Sequence, residues 1–213
     1  MAVRKLLRAR ADPPSRDHIL RAAERTFAEA GLSGARVDRI AARAGVNKAL
    51  LYYYFRSKDG LYRAVLEEHL KAFARQARKV FAPPGDAESK VLGFVSAHFD
   101  FLSARPLMPS LMQRFFMTGG RSLDRLKAKY VLPTYRGLIR VIEQGVRDGE
   151  LYEVDGRQTA LSLAALVVHY FLAAPWLKSM ARMDAYDRAN LSARKQEVLG
   201  FVRRALVRRR SDE

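Results

Sequence analysis

The sequence predicts an all-α protein built from about nine helices, and three features of the chain support this fold class. Apolar residues recur at intervals of three and four along almost the whole chain. Glycine, proline and side chains that cap helices separate these periodic stretches. No stretch shows the alternation of a half-buried strand. The 213 residues, 49% of them hydrophobic, suffice for one or two domains with a sizeable core.

The composition is strongly basic, with a formal net charge of +17. Such an excess favours an anionic partner, with nucleic acid first and an acidic membrane surface second. The alternative is a solvated basic surface, because the basic residues spread over the whole chain. The chain has no cysteine, which excludes disulfides, thiolate catalysis and cysteine-ligated metals.

The stretch from Val37 to Phe55 predicts two short helices joined by a tight turn. Gly45 stands where a helix end needs positive φ, and Asn47 is placed to cap the second helix. The residues expected to face the core are Val37, Ile40, Ala41, Ala44, Leu51 and Phe55. A first helix precedes this pair, with Ser15 as its cap and Gly31 as its end.

The outer face of the second short helix carries Lys48, Ala49, Tyr52 and Tyr53. A small residue lets the backbone approach a surface, a lysine attracts an anion, and tyrosine hydroxyls donate to phosphates. A helix-turn-helix with this outer face fits the groove of duplex DNA.

The segment of about residues 15–63 resembles the DNA-binding module of the TetR/AcrR family of bacterial repressors. The matching positions are Gly31, Val37, Ile40, Ala41, Ala44, Gly45, Val46, Lys48, Leu51, Tyr52, Phe55, Lys58 and Leu61. The resemblance implies an N-terminal three-helix helix-turn-helix domain and a C-terminal helical domain for ligand binding and dimerisation. It also implies a homodimeric repressor that a small-molecule ligand releases from its operator.

Three positions depart from the family pattern. Arg36 stands where the family usually has a capping Thr, and Tyr54 stands where it often has His. Gly60 occupies a position that is often Glu, which would complete a capping box with Ser57. Arg36 cannot cap a helix but can still reach a phosphate, so the departures leave the fold in place and the operator open.

The predicted DNA contacts divide into base readers and groups that position the protein on phosphates. Asn47, Ala49 and Tyr53 are the expected base contacts, whereas packing against the first helix is an equal alternative for Tyr52. The full predicted set is Arg36, Val37, Asn47, Lys48, Ala49, Tyr52, Tyr53, Tyr54 and Lys58.

The predicted domains are a basic arm at 1–14, the helix-turn-helix domain at 15–60 and the C-terminal domain at 61–213. The arm either follows DNA or is a frayed tail. A long helix at 58–81 leads into the second domain and links recognition helix and regulatory domain. The remaining helices are expected at 87–104, 107–117, 122–148 with a bend at Pro133, 156–182 and 188–209.

Large flexible side chains between residues 94 and 135 predict a small-molecule pocket, with plain core packing as the alternative. An apolar or anionic ligand, such as a fatty acyl compound, fits this composition best, because the segment has few carboxylates. The predicted lining is His98, Phe99, Met112, Phe115, Phe116, Tyr130, Tyr135, His169 and Trp176.

The last two helices, about 157–182 and 188–209, are predicted to form the homodimer contact. The resemblance implies a four-helix bundle between subunits. The uncharged run 160–177 alternatively reaches the lower limit for a membrane span, although it contains His169 and Pro175. The apolar stripe expected on the last helix is Leu191, Val198, Phe201, Val202, Ala205 and Leu206.

No catalytic constellation, phosphate-binding loop or metal-spaced histidine pair occurs in the sequence. The sequence therefore predicts a bacterial regulator that is not an enzyme, needs no cofactor or metal, and acts in the cytoplasm at the nucleoid. The rival function is a basic DNA-architectural or membrane-surface protein without a ligand response.

Overall fold

The computed structural model describes residues 16–118 and 120–208, without the side chain of Ser122. The predicted arm at 1–14 and the cap Ser15 lie outside the described residues. The last helix ends at Leu206 and not at about Arg209 as predicted, because Val207 is extended.

The described residues form an all-α fold, which confirms the predicted fold class. Leu151 and Val207 form an isolated antiparallel bridge. A π-helical segment, Lys127–Val131, joins α7 to α8. The helices are α1 Arg16–Gly34, α2 Val37–Arg43, α3 Lys48–Phe55, α4 Lys58–Phe81, α5 Ala87–Ser103, α6 Met108–Met117, α7 Arg121–Leu126, α8 Leu132–Arg147, α9 Gly156–Leu172, α10 Ala174–Met180 and α11 Arg188–Leu206.

The chain forms two compact units, unit 1 up to Glu68 and unit 2 from His69 onward. Unit 1 has its own core, in which the rings of Phe27 and Tyr62 meet edge to face with centroids 5.0 Å apart. The other large fully buried side chains of unit 1 are Ile19, Ile40, Leu61 and Leu66. Burying apolar side chains from all four of its helices fixes the helix-turn-helix pair against α1 and α4.

Helix α1 does not end at Gly31 as predicted, because a further turn continues to Gly34. Gly31 nevertheless interrupts the helix, since its φ of 67° lies in the left-handed region that glycine favours. The N–H of Ala35 donates to the Gly31 carbonyl at 3.2 Å and closes this last turn.

The turn between α2 and α3 follows the prediction. Gly45 has φ 62°, and the N–H of Val46 donates to the Ala41 carbonyl at 3.0 Å. Asn47 caps α3, because its Oδ1 accepts from the N–H of Leu50 at 2.8 Å. The turn therefore sets the direction in which α3 leaves α2.

The backbone conformation at the start of α4 explains why this chain has Gly60 at a position that is often Glu. The Ser57 hydroxyl caps the helix by accepting from the N–H of Gly60 at 3.0 Å. A Cβ added at Gly60 would lie 2.0 Å from the carbonyl oxygen of Phe55. Because backbone cannot yield as a side chain does, this conformation leaves no room for the glutamate of a capping box.

Unit 2 is organised around α5, which packs against α8, α9 and α11. Its buried aromatic residues include Phe94 and Phe99, and the Phe99 ring lies 5.0 Å from the Phe171 ring on α9. Asp86, Asp155 and Asp187 cap α5, α9 and α11 through their carboxylates. These caps place the beginnings of three core helices at well-defined residues.

The predicted helix 156–182 is divided at Ala173 into α9 and α10, whose axes differ by 49°. No single helix among the described residues has the length and apolarity to cross a membrane, although this bent pair passes the same test together. The predicted bend at Pro133 falls in the first turn of α8, where a proline is tolerated, directly after the π-helical segment.

Candidate nucleic-acid interface and effector site

Helix α3 presents the predicted recognition surface to solvent. Buried Leu51 and Phe55 hold the helix in unit 1. Between them the side chain of Tyr53 is 71% exposed, with Tyr52 and Tyr54 also exposed. The rings of Tyr53 and Tyr54 meet edge to face at 5.4 Å, so they form one aromatic surface. Exposed aromatic rings at this density are unusual on a soluble face and indicate a binding surface.

Lys48 opens α3 and forms an ion pair with Asp38 of α2. Both side chains are more than half exposed, so the pair contributes little to folding stability. A DNA phosphate would have to compete with the Asp38 carboxylate for the Lys48 ammonium. Ala49 follows on the same exposed turn and leaves the helix backbone open to close approach.

Arg36 and Val37 lie at the beginning of α2. The Arg36 side chain is exposed and makes no capping hydrogen bond to α2, as predicted for an arginine at this position. Val37 is only half-buried, so part of it reaches the surface. Both residues stand at a helix N-terminus, where backbone N–H groups favour an anion.

Other basic residues of α2 are engaged within unit 1. Arg39 and Arg43 both pair with Glu29 of α1, at 2.8 and 3.1 Å. Arg43 also donates to the buried hydroxyl of Thr26 at 3.2 Å. This network orients α2 on α1, and the sequence analysis missed it because no local spacing connects residues so far apart.

Lys58 has a structural role that the sequence analysis did not anticipate. Its Nζ donates to the carbonyls of Ser33 and Ala35, at 3.3 and 3.2 Å. These carbonyls close the end of α1, where a cation is favoured by the helix dipole. The same ammonium lies at the start of α4, where it was predicted to contact a phosphate.

We expect Lys58→Ala to weaken DNA binding across all sequences and to lower the slope of log K against log salt by about one unit. It should also lower the melting temperature of the free protein, because two carbonyls lose their donor. Salt-dependent binding and thermal melting of both proteins measure this. An unchanged slope with a lowered melting temperature would leave Lys58 only its structural role.

The predicted effector residues lie in different surroundings within unit 2. His98 is buried, and its ring lies 4.7 Å from the ring of Phe73 and 5.9 Å from that of Phe94. The Nδ1 of His98 finds no hydrogen-bond partner among the described residues. Burial lowers the pKa of His98 to about 4, because a charged imidazole is poorly solvated in this apolar cluster.

The other predicted residues divide between core and surface. Phe99 and Phe115 are buried in the core, and Met112 and Tyr130 are half-buried. Tyr135 is half-buried, and burial raises its pKa to about 12. Those that lie exposed are Phe116, His169 and Trp176.

A cavity of about 790 Å³ lies in unit 2 between α4, the start of α5 and α8. Tyr130 is the predicted effector residue that lines it. The lining combines apolar side chains with four basic and three acidic ones, on α4, the 82–86 loop, α5, the π-helical segment and α8. Its volume lies in the range of sites for small molecules.

No group of three or more His, Cys, Asp or Glu residues that could hold a metal ion occurs in the described part of the chain.

Residues 19–65 match the family model of bacterial regulatory proteins of the tetR family. The transcriptional activator FasR of Mycolicibacterium smegmatis is 38% identical over 87 residues, 41% of this chain and 40% of that protein. The transcriptional repressor NicS of Pseudomonas putida is 33% identical over 100 residues, 47% of each protein. The chain therefore matches less than half the length of these two relatives.

The fold extends over most of the chain. The crystal structure of the transcriptional regulator FadR from Bacillus subtilis in complex with stearoyl-CoA superposes with a TM-score of 0.69. It is 21% identical and covers 88% of this chain and 97% of FadR, which shows a shared fold. From the family match and the helix-turn-helix geometry, we conclude that residues 19–65 form a DNA-binding domain of the tetR-family type of bacterial regulatory proteins.

Proposed function

We propose that this protein is a homodimeric DNA-binding transcriptional regulator whose hold on its operator is released by a small-molecule effector. The observation that carries the proposal is the exposed face of α3, on which Lys48, Ala49 and Tyr53 project from a helix fixed by a buried core. Lysine, a small residue and tyrosine hydroxyls supply phosphate contact, close approach and base contact, respectively. The relatives include an activator and a repressor, and we propose repression.

Selection of bound duplexes from a random DNA pool tests the proposal. A recovered inverted repeat, with half-sites separated by about one helical turn of 34–36 Å, would support a dimeric reader. A footprint that stays confined to that repeat as salt rises would exclude the rival, an architectural or membrane-surface protein driven by charge alone. Recovery of no motif would contradict the proposal.

The proposed subunit contact uses the outer faces of α9 to α11. Leu161 on α9 is 63% exposed, and Phe201 on α11 is 50% exposed. The predicted stripe on α11 needs correction, since Val198, Val202 and Leu206 are buried within unit 2. The residues of that stripe left for a partner are Phe201 and Ala205, which lie exposed along one edge of the buried stripe. Trp176 and Met180 extend the exposed apolar surface along α10.

We expect the double variant Leu161→Asp, Phe201→Asp to be a folded monomer, because each carboxylate would be buried without a partner at the subunit contact. Sedimentation velocity should show the mass of one chain where the parent shows two. Leu132→Asp, which also replaces an exposed leucine in unit 2, is the control and should remain a dimer. If the double variant remains a dimer, the subunit contact does not depend on Leu161 and Phe201, and the proposed location is wrong.

We further propose that the effector acts by population shift. The effector must bind the DNA-free form more tightly than the DNA-bound form, since equal affinity shifts nothing. We also propose that the protein acts in the bacterial cytoplasm at the nucleoid, where its positive charge would support nonspecific contact with DNA. If no compound changes operator affinity, the effector part fails and the DNA-binding part stands.

A further inference from the structure

We propose that the cavity between α4 and α8 is the effector site, and that its ligand is an amphipathic anion with an apolar body and a carboxylate or phosphate head. This inference rests on the proposed regulatory function, and it replaces the aromatic cluster of α5 and α6 as the site. A cavity of about 790 Å³ accommodates a molecule of this kind.

The apolar part of the cavity is formed by small and ring-bearing residues. Ala74, Ala77 and Phe81 line it from α4, and Pro133 and Val141 line it from α8. Gly137 widens the α8 side, since a Cβ there would lie 3.1 Å from the Phe81 ring. An aliphatic chain or ring system would therefore exchange water for apolar contacts along this groove.

The carboxylates of the cavity are already committed to hydrogen bonds within the protein. Asp86 accepts from the N–H of Ser89 at 2.7 Å, and this bond lowers the pKa of the Asp86 carboxyl. Asp148 accepts from Nε2 of Gln144 at 2.8 and 2.9 Å. Glu150 accepts from the N–H of Ala87 at the start of α5. Each of the three carboxylates therefore already accepts a hydrogen bond from the protein.

Three of the four basic side chains in the lining, those of Arg78, Lys90 and Arg140, form few contacts with anionic groups. Arg78 and Lys90 form no ion pair within 16–118 and 120–208, although Lys90 lies close enough to Asp86 to lower its pKa. Arg140 donates to a neighbouring main-chain carbonyl, that of Arg136, at 3.3 Å. Lys129 completes the set of four cations in the lining. Arg78, Lys90 and Arg140 form no ion pair among the described residues, and such donors beside an apolar groove match a ligand with an anionic head.

The π-helical segment gives an independent reason to assign a ligand to this cavity. Lys129 and Tyr130 both line the cavity and lie within the π-helical Lys127–Val131. Such segments are rare and occur frequently at functional sites, because they shift side chains out of the regular helical register. Here the shift occurs where a basic and an aromatic side chain line the same cavity.

Calorimetric titration of the full chain with four ligands of one chain length tests the head group. Laurate and lauroyl-CoA carry a carboxylate and a phosphate-rich head, dodecanol is neutral, and dodecyltrimethylammonium is cationic. We expect at least one anion to bind about tenfold or more tightly than dodecanol, and the cation to bind weakest. The stronger of the two anions identifies the type of head group. Equal binding of all four would overturn the proposal.

Matched double variants test the location. Arg78→Gln, Arg140→Gln removes two cations from the lining, and Arg75→Gln, Arg136→Gln removes two arginines whose side chains stand outside it on the same two helices. The variant Arg78→Gln, Arg140→Gln should bind the anion with an affinity lowered by about tenfold or more, and its affinity for dodecanol should change by no more than about twofold. The control variant Arg75→Gln, Arg136→Gln should bind the anion and dodecanol with unchanged affinity. An equal loss of anion affinity in both double variants would show that the ligand responds to the overall positive charge of the protein, and this would contradict the assigned site.

The same proteins separate this inference from the proposed function. If the anion binds the cavity and operator affinity does not change, the site stands and the effector response fails. If the operator is bound and none of the four compounds binds, the regulator stands and the assigned ligand class fails. Folding of each variant is checked by its thermal melting curve, since the four arginines are exposed.

Discussion

The double variant Lys48→Ala, Tyr53→Ala should lose about a hundredfold in affinity for the selected operator, because it removes one predicted phosphate contact and one predicted base contact. Both side chains are mostly exposed, so the fold should not depend on them. Fluorescence anisotropy with a labelled duplex measures the loss, and circular dichroism verifies the fold.

The control for this experiment changes the same kinds of side chain in unit 2. Lys79→Ala, Phe116→Ala removes an exposed lysine and an exposed aromatic ring from unit 2, in which no residue is a predicted DNA contact. It should bind the operator like the parent. A hundredfold loss in the control, or parental affinity in the α3 variant, would remove α3 as the reading helix.

The protein should lose about 3 kcal/mol of unfolding free energy as pH falls from 6.5 to 4, because of His98 alone. The pKa of His98 is lowered from 6.5 to about 4 in the folded state by burial. Above pH 6.5 both folded and unfolded states hold the neutral imidazole, so stability does not change. As the pH falls from 6.5 to about 4, His98 is protonated in the unfolded state but still neutral in the folded state, so the free energy of unfolding falls.

His98→Phe tests this assignment, since it keeps a ring beside Phe73 and Phe94 and removes the proton site. Urea denaturation at a series of pH values should show a shallower loss of stability below pH 6.5 for the variant. His169→Phe, an exposed histidine of the same unit, should follow the parent curve. Identical curves for the parent and His98→Phe would contradict a buried neutral imidazole.

The helix-turn-helix was predictable because its determinants are local. The positive φ of Gly45 and the capping oxygen of Asn47 follow from residue type and spacing. The bounds of α4 were also predicted correctly, since Ser57 starts the helix and the pair Pro83-Pro84 follows its end. The confirmed features depend on neighbours within a few residues in the sequence.

The effector site was not predictable in the same way. Large apolar side chains on helices fill cores and line pockets alike, so Phe99 and Phe115 carry no local sign of which they do. The cavity instead depends on how far α4 lies from α8, which is a tertiary property. The sequence also did not show which apolar residues of α11 are buried and which are exposed. Residue spacing gives the apolar side of a helix but not the part of it that a neighbouring helix covers.

The capping role of Asn47 has a consequence for the DNA sequence that this protein reads. Its side-chain oxygen accepts from the N–H of Leu50, so the hydrogens of the side-chain NH₂ group are the donors that remain for another partner. In the major groove such hydrogens pair with guanine N7 or O6, adenine N7 or thymine O4, and the exocyclic amine of cytosine offers them nothing. The operator base that Asn47 is proposed to contact should therefore be any base except cytosine.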